Sequence, residues 1–121
     1  MYRKLKIKVQ TKNCKYRGKL VKNNTIVLNR NLSRIEQQAV FLHELGHLKC
    51  QERKCSCFIN PTRREYHAML FAYNAACQIG KRRLVSQVIM EINEARTNED
   101  WPCHAKAAEI FFFNPMRKHF Q

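Results

Sequence analysis

Acidic residues are missing from the start of this chain. No aspartate or glutamate precedes Glu36, while eleven lysines and arginines fall in the same stretch, within a formal net charge of +14 over 121 residues. Such a field attracts polyanions, either nucleic acid or an acidic protein surface. No nucleic-acid fold signature accompanies the charge, so a solvated basic face is the plainer reading and DNA binding is not favoured. Long apolar runs are missing as well. Nothing approaches the length of a membrane span, and the opening MYRKLKIKVQ lacks the unbroken apolar block of a secretory signal. These absences exclude a membrane partner and place the protein in the cytoplasm. Internal repeats and low-complexity tracts are also absent, and the length suits one domain, 1–121, with one hydrophobic core.

Regularly spaced cysteine pairs are lacking too, although there are six cysteines. In a reducing compartment these are thiols or metal ligands rather than a disulfide framework. Cys14, Cys77 and Cys103 stand alone in sequence. Cys50, Cys55 and Cys57 cluster, but their spacing does not match the usual C-x2-C pair and no second pair follows. Cys103–His104 could complete a structural zinc site in space; loop thiols are the plainer reading.

What is present divides at about residue 30. Leu5, Ile7 and Val9 alternate with lysines at the period of a half-buried strand. A second strand runs from about Tyr16 to Lys22, the Asn23–Asn24 pair suits a tight turn, and Thr25 to Leu28 is a β-branched run able to pair back. A small antiparallel sheet is expected over 1–30. Then the period changes. Ser33-Arg34-Ile35-Glu36 has the form of a capping box that opens a helix to about Cys50. Gln51 to Asn60 reads as a loop. Asn60-Pro61 or Thr62 starts a second helix that stops at Gly80. A third helix spans roughly Lys81 to Ala95, and a last one Trp101 to Phe113, with IFFFNP (Ile110 to Pro115) as its core-facing end or a partner-binding patch. The expected fold is α+β: a small antiparallel N-terminal sheet packed on a bundle of about four helices over 33–121.

Within the first of these helices lies HELGH, residues 43 to 47. Histidines four apart on a helix project in nearly the same direction, so His43 and His47 can reach one ion, and zinc accepts neutral imidazole nitrogens. Glu44 is turned about 100° from His43. It does not bind the metal but can take a proton from a water beside it and hand that proton to a leaving amine. Val40, Phe41, Leu42, Leu45 and Leu48 make the helix apolar nearly all round. Polar side chains on a buried helix need a reason, because unpaired buried polar groups are costly. The competing reading is an exposed amphipathic turn.

A catalytic zinc needs a third protein ligand. The continuation HExxHxxGxxH is absent, since Cys50 stands where its glycine would be and Arg53 where its last histidine would be. A glutamate from a following helix is the other common solution, and Glu65 offers one. It shares a helical stripe with Ala68, Met69, Ala72 and Ala76, small enough in three places to pack closely on the motif helix. Thr62-Arg63-Arg64-Glu65 is also a capping box, so Glu65 could cap its own helix instead. His67 is a second contender, about 200° away from Glu65 on the helix. Cys50 lies on the ligand face of the motif helix and could approach the same metal. Tyr66, Tyr73, His67 and His104 are candidates to donate to a developing oxyanion.

From about Gly18 to Ala76 the sequence resembles the ImmA/IrrE-like metallopeptidases, common in phages and integrated mobile elements. The resemblance is carried by IVLNRNLS, EQQAVFLHELGHL and E-Y-x-A-x-x-F-A beginning at Glu65. It implies that His43, His47 and Glu65 bind Zn2+, that Glu44 is the general base, and that the fold is gluzincin-like. It also implies a protein substrate, such as a helix-turn-helix repressor of a mobile element. Met69 departs from the family, which often has Asn or Asp there, so a hydrogen bond orienting a ligand must come from elsewhere. The reading is a zinc-dependent endopeptidase acting on a regulatory protein. The alternatives are a non-catalytic zinc-containing anti-repressor and a basic nucleic-acid-binding domain.

Overall fold

A computed structural model describes residues 6–55 and 59–113. Three strands, β1 (Lys8–Lys12), β2 (Gly18–Val21) and β3 (Thr25–Asn29), precede four helices, α1 (Arg34–Glu52), α2 (Pro61–Ile79), α3 (Arg82–Arg96) and α4 (Pro102–Phe113). The fold is α+β, as expected, but the sheet is mixed rather than antiparallel. Its order is β1-β3-β2, with β2 antiparallel and β1 parallel to β3. The reason is composition. β3 is the apolar strand, with Ile26, Val27 and Leu28 all buried, and it takes the centre. The lysine-bearing β1 and β2 go to the edges, where charged side chains also discourage pairing with other chains. The chain reverses between β1 and β2 and again between β2 and β3, so β1 and β3 run the same way.

The hairpin turns where two asparagines adopt positive φ, 62° at Asn23 and 53° at Asn24, a conformation this residue tolerates better than most. All five β1 residues are exposed, so the half-buried alternation expected there is corrected. Of that apolar series, Leu5 lies outside the described residues. Ile7 is half-buried against a small cluster of Ile26, Leu28 and Val40, and Val9 is exposed.

The helices begin and end where local chemistry dictates. Ser33 caps α1, accepting from the Glu36 backbone N–H, while the Glu36 carboxylate accepts from the Ser33 N–H. Asn60, not Thr62, caps α2 through Arg63, and Pro61 occupies its first turn. Gly80 ends α2 in the left-handed conformation, φ 80°. The main core joins all four helices through Ala39, Leu42, Met69, Ala72, Ala76, Leu84, Val88, Ile92 and Phe111, among others. Phe111 is fully buried and meets the Tyr73 ring edge-on at 5.5 Å. The core-facing reading of IFFFNP thus holds for Phe111, whereas Phe113 is exposed, and Asn114–Pro115 lie outside the described residues. Among the described residues, no helix is long and apolar enough to cross a membrane.

Phe111 locks α4 onto α2. Truncation to Ala should therefore cost about 3–5 kcal/mol of stability, measured by urea denaturation. Phe113→Ala, at the exposed end of the same helix, should stay within about 0.5 kcal/mol of wild type.

Candidate metal centre

α1 and α2 form a helical hairpin whose faces touch almost backbone to backbone. Gly46 is the reason. A methyl group built on it would lie 2.9 Å from the Ala68 Cα and 3.1 Å from the Ala68 carbonyl oxygen. Glycine inside a helix costs about 0.5–1 kcal/mol relative to alanine, so its presence mid-helix points to this contact. Ala68, Ala72 and Ala76, all buried, continue the small-residue stripe along α2.

Glu65 lies on that stripe, one turn before Ala68. Its carboxylate is 8 % exposed and meets three imidazoles. His43 Nε2 is 3.0 Å from Oε1, His47 Nε2 is 3.1 Å from Oε2, and His104 Nε2 is 2.9 Å from Oε1. The His43 and His47 rings are edge-on, with centroids 4.9 Å apart. Ligand atoms of His43, Glu65 and His104 all lie within 4.8 Å of one another. Burial alone would raise the Glu65 pKa, but hydrogen bonds from His104, His43 and His47 outweigh it and hold the carboxyl far below the usual range. For His47, burial opposes protonation, yet the Glu65 hydrogen bond and charge prevail and its pKa is raised. Imidazole nitrogens converging on a buried carboxylate are a donor set that zinc accepts, so the residues present fit the metal.

Glu44 is half-buried and lines a cleft together with His43, His104, Met69, Trp101 and the Arg17–Gly18 start of β2. Gly18 lets β2 approach α1, since a methyl group there would overlap Val40 Cγ1. Arg17 ties this strand to both neighbouring helices, through Glu36 of α1 at 3.2 Å and through Glu91 of α3.

The sequence-based candidates are thus redistributed. His43, His47 and Glu65 come together, and Glu65 is not the cap of its helix. Of the four suggested oxyanion donors, His104 lies at the cluster, whereas Tyr73 is buried against Phe111 and His67 is drawn to thiols. Cys50 lies at His67 Nδ1, 3.7 Å away, rather than at Glu65, and His104 serves Glu65 rather than the cysteine cluster. Sequence reasoning missed His104 as a Glu65 partner. Met69 is buried in the core and carries no hydrogen-bonding group to orient Glu65; the His104 ring does so instead.

A motif helix carrying HELGH, a second helix delivering a carboxylate and a sheet edge beside them make up a metallopeptidase-type domain. The chain belongs to the IrrE N-terminal-like domain family, a peptidase family whose model matches residues 3–83. No curated protein and no solved structure matches it. Family membership makes protein the substrate class.

The Gly46 contact gives a test with an unusual sign. Gly46→Ala improves helix propensity, yet it should destabilise the fold by about 1–3 kcal/mol through overpacking and part Glu65 from the histidines, weakening any metal binding there. Chemical denaturation and metal titration of the variant check both effects.

Proposed function

We propose that this protein is a zinc-dependent endopeptidase in which His43, His47 and Glu65 hold the metal and Glu44 is the general base. The observation that carries this reading is the convergence of Glu65 on both motif histidines beside a cleft that Glu44 also lines. When bound there, zinc would acidify a water and polarise a peptide carbonyl. The chain's own groups do the rest. Glu44 takes the proton of the attacking water and passes it to the amine nitrogen as the peptide bond breaks. His104 is the most exposed of the three imidazoles, at 30 %. From the wall of the same cleft it donates a hydrogen bond to the carbonyl oxygen as that oxygen becomes an anion. The β2 edge beside the cleft offers backbone groups to an extended peptide, a common mode of strand-addition recognition. The resemblance to ImmA/IrrE-like proteins supports a regulatory protein, such as a helix-turn-helix repressor, as the substrate, and the basic N-terminal third suits an acidic segment of it.

One observation favours a second reading. His104 also sits within ligand distance of the cluster, and four protein donors would close the metal's coordination sphere, as in structural sites. The protein would then be a non-catalytic, zinc-containing regulator.

Two variants separate these readings. Glu65→Ala should lose one zinc equivalent relative to wild type by mass spectrometry. Glu44→Gln should keep that zinc while cleavage of a peptide library falls by about 10²–10⁴-fold. His104→Ala should keep the zinc and lose turnover; loss of the zinc instead would favour the closed, regulatory centre. Wild-type protein that holds zinc and cleaves nothing in the library would count for the same alternative.

A further inference from the structure

A second cluster of metal-ligating side chains lies at the loop end of the α1–α2 hairpin, and the reaction proposed above makes no use of it. Cys50 is in the last turns of α1, Cys55 in the loop that follows and His67 in the second turn of α2. We propose that these three residues hold a second zinc ion, which clasps the end of α1 and its loop to the start of α2.

Geometry carries the proposal. The Cys50 Sγ lies 3.7 Å and the Cys55 Sγ 3.6 Å from the same atom, His67 Nδ1, and the three ligand atoms are all within 4.8 Å of one another. A tetrahedral zinc with Zn–S about 2.3 Å and Zn–N about 2.0–2.1 Å separates sulfur from nitrogen by about 3.6 Å. The two observed distances are thus edges of such a tetrahedron. Both sulfurs converge on one ring nitrogen at nearly equal range, and a cation between them would draw on all three ligand atoms.

The backbone brings the cysteines there. Lys54 adopts a left-handed conformation, φ 55°, and the Cys55 N–H donates to the Cys50 carbonyl at 3.0 Å. The loop is thereby folded back over the end of α1, and its thiol faces α2. His67 is about 200° from Glu65 around α2, so the two clusters draw on opposite faces of that helix. The two centres also differ in chemistry. Two sulfurs and a nitrogen make a soft site suited to zinc, unlike the nitrogen and oxygen donors around Glu65.

That difference supplies the test. Reduced protein, stripped of metal and titrated with Co2+ without oxygen, should show a near-ultraviolet thiolate-to-cobalt charge-transfer band. Only cysteine ligation produces it. The band should persist in Glu65→Ala, which removes the other centre, and disappear in Cys55→Ser and in His67→Ala. Zinc content should be about two per chain in wild type and about one in each single-centre variant. Absence of the band from wild-type protein under excess cobalt would overturn the proposal, whatever the variants do. So would a band that survives Cys55→Ser, or a Cys50–Cys55 disulfide found by mass spectrometry in protein kept reduced. Because the wild-type spectrum decides first, a variant that fails to fold does not rescue the idea.

Discussion

The close approach of α1 and α2 at Gly46 and Ala68 is the constraint on which the rest depends. A glutamate side chain is short, and its carboxylate reaches both motif histidines because the two backbones nearly touch. Any larger residue at either position would have to part the helices by some tenths of an ångström or more, and ligand sets are sensitive to displacements of that size. The same contact explains an otherwise unfavourable glycine in mid-helix and the run of alanines opposite. Everything else in the fold is arranged around this pair. The sheet leans on α1 through Val40, α3 closes the core through Leu84, Val88 and Ile92, and α4 brings His104 in from the far side, held by Phe111.

Electrostatics makes the same point. A buried carboxylate without partners is costly, and Glu65 has three imidazoles to offset that cost. Packing alone does not require such an arrangement, because a buried ionic cluster can often be replaced by apolar residues of similar volume with little loss of stability. The Arg17 pairs with Glu36 and Glu91 act differently. They lie at the rim of the cleft, half-exposed, and their contribution is to fix where the β2 edge sits relative to the helices.

Much of this was legible in the sequence, and the residues show why. Helix ends were written locally: Ser33 with Glu36, Asn60 with Pro61, and Gly80 each satisfy or terminate a backbone within a few residues. Glu65 was legible because the alanines at its helical spacing imply a close neighbour. The sheet was less so. Three strands can pair in several orders, and nothing local states that the strand richest in buried apolar residues lies between the two that carry lysines. His104 was the hardest to read as a partner of Glu65. It belongs to a helix remote in sequence, and a single histidine after Trp101, Pro102 and Cys103 has no spacing to announce what it touches. His67 stands in the sequence as a second contender beside Glu65, although it points the opposite way around α2. That direction is what places it against the thiols of Cys50 and Cys55.

Whether the Glu65 cluster leaves a metal position open is what separates an enzyme from a binder in this architecture. A metal held by four side chains has no position at which to activate a water, and a glutamate beside it would then have no proton to take. Glu44 is retained, half-buried, on the cleft wall with His43 and His104. Of the three imidazoles around Glu65, His47 is the least exposed at 14 % and His104 the most at 30 %. This gradient fits inner ligands on α1 and an outer donor on α4. On the proposed reading, a hairpin carrying ligands and base, with a separately anchored donor facing it across the cleft, is a division of roles that hydrolysis uses and that a purely structural centre does not need.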